Sequence, residues 1–207
     1  MSEGGAPAAG RGRRERTKAA NRAAILRAAR EVFGEIGYGA ASVRDIVRRT
    51  DLATGTFYNY FPDKESVLHA LVDELAGEAR RRVRAARRAA GSIEAFVGDS
   101  YRAYFALLAE DPETFALMRR NAGTIRALFG EPAVGASVAE LREDLEAGIA
   151  SGALPPHDTD LMAAAMVGAG LEVGVRMLER EPLDVDAAAE FVTRVFLGAL
   201  AAFRADG

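Results

Sequence analysis

Thr54-Gly55-Thr56-Phe57-Tyr58-Asn59-Tyr60-Phe61-Pro62-Asp63-Lys64-Glu65 carries two phenylalanines four positions apart. That spacing puts Phe57 and Phe61 on one side of a helical turn as anchors, leaving Thr54, Thr56, Tyr58, Asn59 and Tyr60 to divide among the remaining faces. A very short helix over about 54–60 is predicted. Pro62 ends it, and Asp63 is a cap-type residue in front of a long helix from Lys64 to about Ala90, which buries Val67, Leu68, Leu71 and Leu75.

Working backward, Ser42-Val43-Arg44-Asp45 has the order of a capping box. It opens a second short helix reaching about Thr50, with Val43, Ile46 and Val47 turned inward and Leu52 plugging the turn that follows. Before it, Ile25, Ala29, Val32, Phe33 and Ile36 keep helical spacing from about residue 18 until Gly37 and Gly39 end the run. Residues 1–16 hold Gly, Pro and Arg but almost no large apolar side chain, so a disordered, Arg-rich arm is expected there. Three helices of which the last two are joined by a tight turn, behind an Arg-rich segment, have the layout of a helix-turn-helix DNA reader. Gly55 and Thr56 are small enough to let backbone amides approach phosphate.

Toward the other end the pattern stays helical. Ile93, Phe96, Val97, Tyr101, Tyr104, Phe105 and Leu108 line one face, and Asp111-Pro112 caps and opens the next helix. Loops are expected at Gly130-Glu131-Pro132 and at 152–156, with Val138, Leu141, Leu145 and Ile149 marking a helix between them. Two helices close the chain, at about 158–180 and 185–204, with Asp184 as the second cap. No alternating strand pattern occurs, so the expected class is all-α, about nine helices.

Composition narrows the chemistry. The chain has no cysteine and only two histidines, His69 and His157, which excludes a disulfide scaffold, a thiolate metal site and a histidine cluster. The apolar run Leu161–Leu171 is far short of the roughly 20 residues of a membrane span, and no apolar run follows the first arginines as a secretory signal requires. A cytoplasmic protein without a membrane partner, metal or cofactor is expected. The net charge of −3 hides an asymmetry: residues 1–90 hold 18 basic against 11 acidic side chains, a net of +7, which leaves −10 for residues 91–207. The first half attracts phosphate and the second repels it.

The quoted stretch resembles the recognition helix and following segment of TetR/AcrR-type transcriptional regulators, and the likeness extends back through Ile25, Ala29, Phe33, Gly37, Ser42, Ile46 and Val47. Two positions depart from the family's usual glycine in the turn and serine at the recognition-helix cap: this chain has Asp51 and Ala53. Asp tolerates the left-handed conformation better than most residues, and Thr54 is the substitute for the missing cap. The resemblance implies that Thr56, Tyr58 and Lys64 contact phosphates, and that Thr54, Gly55 and Asn59 face base edges. It implies further that Arg44, on the preceding helix, reaches a base or phosphate, and that Tyr60 of the quoted stretch belongs to the DNA-binding surface. It also implies a helix-turn-helix DNA-binding domain over 17–63, a connecting helix over 64–90, and a ligand-binding and dimerisation domain over 91–207. The expected function is ligand-responsive transcriptional repression: a homodimer, joined through the last two helices, binds a pseudo-palindromic double-stranded operator and is released by a small apolar or amphipathic effector.

For that effector, Phe96, Tyr101, Tyr104, Phe105, Phe115, Met118, Met162 and Met166 either line an apolar pocket, with Arg120, Asn121 or Glu172 as polar contacts, or are plain core. The run from Arg80 to Arg88 reads as a solvated helix face above Ala79, Val83, Ala86 and Ala90, and Glu172 and Arg176 as a helix ion pair. The glycines between 168 and 174 read as close helix packing. Arg11, Arg13, Arg14 and Arg16 form either a solvated tail or a minor-groove arm. Two alternatives are weaker. An architectural DNA-binding protein leaves the acidic second half without a task, and an α-helical enzyme working through Glu143 and Asp144 lacks carboxylates paired on an apolar face.

Overall fold

The computed structural model describes residues 7–128 and 132–205. Among these there are nine helices and no strand: α1 (Pro7–Ile36), α2 (Val43–Val47), α3 (Thr54–Tyr58), α4 (Lys64–Ala89), α5 (Ile93–Glu110), α6 (Pro112–Ala127), α7 (Pro132–Ala150), α8 (Thr159–Leu178) and α9 (Val185–Ala205). The helix starts follow the cap chemistry of the sequence. Ser42 and Asp45 complete both halves of the capping box, and Asp63, Ser92, Asp111 and Asp158 each accept from backbone amides of the helix they open. Asp184 accepts from the Ala187 amide in the same way (2.9 Å). Such caps contribute about 1 kcal/mol each. Gly37, at φ 82°, ends α1 in the left-handed conformation that favours glycine.

Four expectations are corrected. The arm does not run free to residue 16, because α1 extends back to Pro7, with the Thr17 hydroxyl donating to the Arg13 carbonyl at 3.0 Å. Arginine and alanine are good helix formers, and a helix nucleated further along extends at little cost; residues 1–6 of the expected arm lie outside the described residues. Second, Asp51 takes no left-handed conformation, since no non-glycine residue among the described ones has a positive φ. Thr50 closes the turn instead: its hydroxyl donates to the Val47 carbonyl (2.9 Å) and accepts from the Leu52 amide (3.2 Å). Third, Glu172 and Arg176 do not pair with each other. Glu172 binds Arg126 of α6 at 2.5 Å, and Arg176 binds Glu179 at 2.9 Å. Thr54 does not replace the missing cap either, for α3 starts behind Ala53 without any side-chain cap bond.

α2 and α3 have five residues each, too short to persist alone, and they are held by burial. Ile25, Phe33, Ile46 and Phe57 are fully enclosed together with Val67 of α4, each such side chain contributing about 1.5–3 kcal/mol. α1 also lies along α6, closely enough that a Cβ at Gly34 would come within 3.1 Å of the Ala116 methyl. α5 is central, packing on α4, α8 and α9. The glycines of α8 permit the expected close approach: a Cβ at Gly174 would stand 2.8 Å from Leu108, and one at Gly170 3.4 Å from Tyr101. By length and composition α8 alone among the described helices is apolar enough to cross a bilayer, but half of that window is buried inside the protein, as in a core helix.

Candidate nucleic-acid interface and internal cavity

α2, the Thr50 turn and α3 present a polar outer surface over the shared apolar floor. Arg44, Thr54, Gly55, Tyr58 and Asn59 are exposed, and Thr56 is half-buried. Tyr58 is 54% exposed with its ring edge-on to Phe57, so it is not a core tyrosine. Tyr60 is half-buried beside the core and accepts from the Asn21 amide at 3.2 Å, which ties the end of α3 to α1. The extended α1 adds to this surface something the sequence reading missed. Arg13, Arg14 and Lys18 border one open groove with Asn59 and Tyr60, so Arg13 and Arg14, expected on an arm, stand on a helix beside α3.

Lys64 is placed differently from the expectation of a phosphate contact. Its ammonium donates to the carbonyls of Tyr38 (2.8 Å), Gly39 (3.4 Å) and Ala41 (2.8 Å), and lies 4.5 Å from the centre of the Tyr38 ring. An ammonium has three donors, and here all three are used within the chain. Lys64 is a clamp on the segment between α1 and α2. Arg49 is likewise engaged internally, with Glu31 (3.3 Å) and Glu35 (2.5 Å).

The second feature is a cavity of about 170 Å³ lined by α4, α5, α6, α7 and α8 and open on one side. Of the expected lining residues, Phe96, Tyr101, Tyr104, Met118 and Met166 border it. The Tyr101 hydroxyl donates to the Met166 carbonyl (2.9 Å), and burial pushes both tyrosine hydroxyls well above their ordinary pKa. The others do not border it. Phe105 and Met162 are core, Phe115 is partly buried beneath Arg119, Arg120 is exposed, and Glu172 is held on the surface by Arg126.

Asn121 is buried but works as a tie. Its side chain accepts from the Tyr38 amide (2.7 Å) and donates to the carbonyls of Phe33 (2.9 Å) and Leu117 (2.8 Å). Its backbone is non-helical (φ −115°, ψ 17°), so α6 kinks there. Met118 and Ile125 of the same helix border the cavity.

A further wall comes from α4, which the sequence reading left out: Val72, Leu75, Ala76, Ala79 and Val83, with Arg80 and Arg87. Ala76 and Ala79 were the available signal, since alanines on an inward stripe leave space where leucine fills it. The basic run is not solvated throughout, for the Arg87 side chain is only 7% exposed and lies over Phe96.

Residues 25–71 match the family model described as bacterial regulatory proteins, tetR family. The chain is 33% identical over 90 residues to the HTH-type transcriptional repressor KstR2 of Rhodococcus jostii (strain RHA1), covering 42% of this chain and 44% of that protein. It thus spans less than half the length of the curated relatives it matches. Among solved structures, the fatty acid degradation regulator FadR from Bacillus halodurans superposes with a TM-score of 0.73 at 26% identity, covering 84% of this chain and 93% of that one. The transcriptional regulator FadR from Bacillus subtilis, solved in complex with stearoyl-CoA, superposes with a TM-score of 0.72 at 24% identity, covering 83% and 95%.

Proposed function

We propose that this chain, whose residues 25–71 match the model of the tetR family of bacterial regulatory proteins, is a cytoplasmic, ligand-responsive transcriptional repressor of that family whose effector carries a fatty-acyl chain. Residues 17–63 read DNA, 64–90 connect, and 91–207 sense and dimerise. Thr54, Gly55 and Asn59 meet base edges, Thr56 and Tyr58 meet phosphates, Arg44 meets a base or phosphate, and Arg13, Arg14 and Lys18 add phosphate contacts from α1. The observation that carries the reading is the double duty of α6: Met118 and Ile125 face the cavity, while Asn121 between them holds Phe33 and Tyr38 beside the reading helices. An apolar cavity and the likeness to a fatty acid degradation regulator support an acyl effector.

Release then follows from population shift. An effector that lowers operator affinity about 100-fold must prefer the non-binding conformation by about 2.7 kcal/mol, and operator must weaken the effector by the same factor. Anisotropy titration of labelled operator with and without palmitoyl-CoA, paired with calorimetry of palmitoyl-CoA with and without operator, is expected to return the same factor of weakening in both. Equal affinities in both pairs of experiments would reject the sensor.

The homodimer is supported by an apolar face left bare on the last two helices: Leu161 of α8, with Phe191, Val195 and Phe203 of α9, is between 41% and 67% exposed. A two-fold pairing of these faces makes a four-helix bundle and sets two α3 helices to successive major grooves, about 34–36 Å apart. The double substitution Phe191→Glu and Val195→Glu is expected to give a folded monomer by light scattering that has lost at least about tenfold in operator affinity. A dimer of unchanged stability would place the interface elsewhere.

A further inference from the structure

Three arginines of α4 converge on one carboxylate of α7 at the edge of the cavity. Arg80 lies 3.6 Å from Glu140, Arg84 3.7 Å and Arg87 3.9 Å, all beyond hydrogen-bond length. Arg87 Nε is also 3.2 Å from Asp144, yet both that nitrogen and Glu140 Oε2 are buried without a hydrogen bond. Buried polar atoms are ordinarily bonded, and buried charges ordinarily sit in close pairs. This cluster has the charges of a salt-bridge network without its contacts, and it carries a net charge of about +1 from three guanidiniums and two carboxylates. Exposure grades from 51% at Arg84 through 37% at Arg80 to 7% at Arg87, so the arginines lead from solvent inward to the Phe96 ring on the cavity wall.

We propose that Arg80, Arg84 and Arg87 form an anion site at the mouth of the cavity, occupied here by the Glu140 carboxylate, and that the effector's acidic group takes Glu140's place. This rests on the reading of the cavity as an acyl effector site and gives that effector a head as well as a tail. An anion with more oxygens, or one free to approach, makes the charge-assisted bonds that Glu140 at 3.6–3.9 Å does not. Burial opposes the Arg87 charge and pulls its pKa down from the ordinary arginine value, so a close counter-ion there is rewarded. Glu140 stands beside Leu141 and one turn from Ser137, both on the cavity wall. Its displacement therefore loosens α7 from α4 as the ligand enters, a differential contact between two states of the kind a regulatory ligand requires.

The test uses the full chain and three probes with one tail: palmitate, palmitoyl-CoA and hexadecanol. Their dissociation constants are measured by displacement of a fluorescent fatty acid from the unaltered protein, from Glu140→Gln and from the double variant Arg80→Gln, Arg84→Gln. At least one acidic probe is expected to bind about tenfold more tightly than the alcohol. Glu140→Gln is expected to widen that ratio by about a further tenfold, and the double variant to abolish it. Preference for palmitate assigns the site to a carboxylate, and preference for palmitoyl-CoA to the phosphates of the carrier. If all three probes bind alike and Glu140→Gln leaves the ratio unchanged, the anion site is wrong while the acyl effector stands. If none of them binds, the acyl effector is itself wrong and the anion site goes with it.

Discussion

Replacing Asn121 by leucine is expected to lower the free energy of unfolding by about 2–3 kcal/mol, a large effect for a side chain with the same number of heavy atoms. The Tyr38 amide donates to Asn121 and is left without that acceptor, while the Phe33 carbonyl keeps only its bond from the Gly37 amide at 3.1 Å. A donor stripped of its partner away from water costs about 1–3 kcal/mol, and leucine also removes the bond to the Leu117 carbonyl beside the kink in α6. Urea denaturation measures it as a lower midpoint at unchanged slope. The same substitution uncouples α6 from α1, so palmitoyl-CoA is expected to release operator less effectively than from the unaltered protein. A change below about 0.5 kcal/mol with release intact would show that Asn121 is ordinary core.

Lys64→Met separates two roles that a DNA-binding assay alone confuses. The clamp predicts a loss of about 2–3 kcal/mol in stability, because methionine keeps most of the apolar stem but leaves the Tyr38, Gly39 and Ala41 carbonyls without their common donor. Affinity for operator should fall with the loosening of the segment before Ser42, while the slope of log affinity against log salt stays the same. A phosphate contact predicts the reverse, an unaltered melting temperature and a salt slope shallower by about 0.9 per subunit. The second pattern would return Lys64 to the DNA surface.

These two residues show where sequence reading reached and where it stopped. Caps were legible because they are local: Ser42, Asp63 and Asp111 act on amides two or three residues away, and each does so in the structure. The apolar anchors Phe57 and Phe61 were legible for the same reason. Asn121 was read as a ligand contact and Lys64 as a phosphate contact because their partners lie 83 and 26 positions away. A polar side chain shows its chemistry in the sequence but not which distant backbone groups it satisfies. The cavity was half legible: the aromatic and methionine stripe on α5, α6 and α8 was visible, whereas the wall supplied by α4 required knowing that α4 and α5 lie side by side. Asp51 shows the opposite limit, since a family habit pointed to a strained turn that Thr50 makes unnecessary.

α4 joins both ends of this picture in one uninterrupted rod. Its first residue clamps the segment ahead of the reading helices, and its stretch from Val72 to Arg87 walls the cavity. Its 26 residues, at about 1.5 Å each, make a lever of roughly 39 Å. A tilt of about 5° around the far end sweeps the Lys64 end through roughly 3.4 Å, the rise of a single base step on one strand. Displacement too slight to disturb the packing around the fulcrum is thereby enlarged into a whole step of misregister along the duplex.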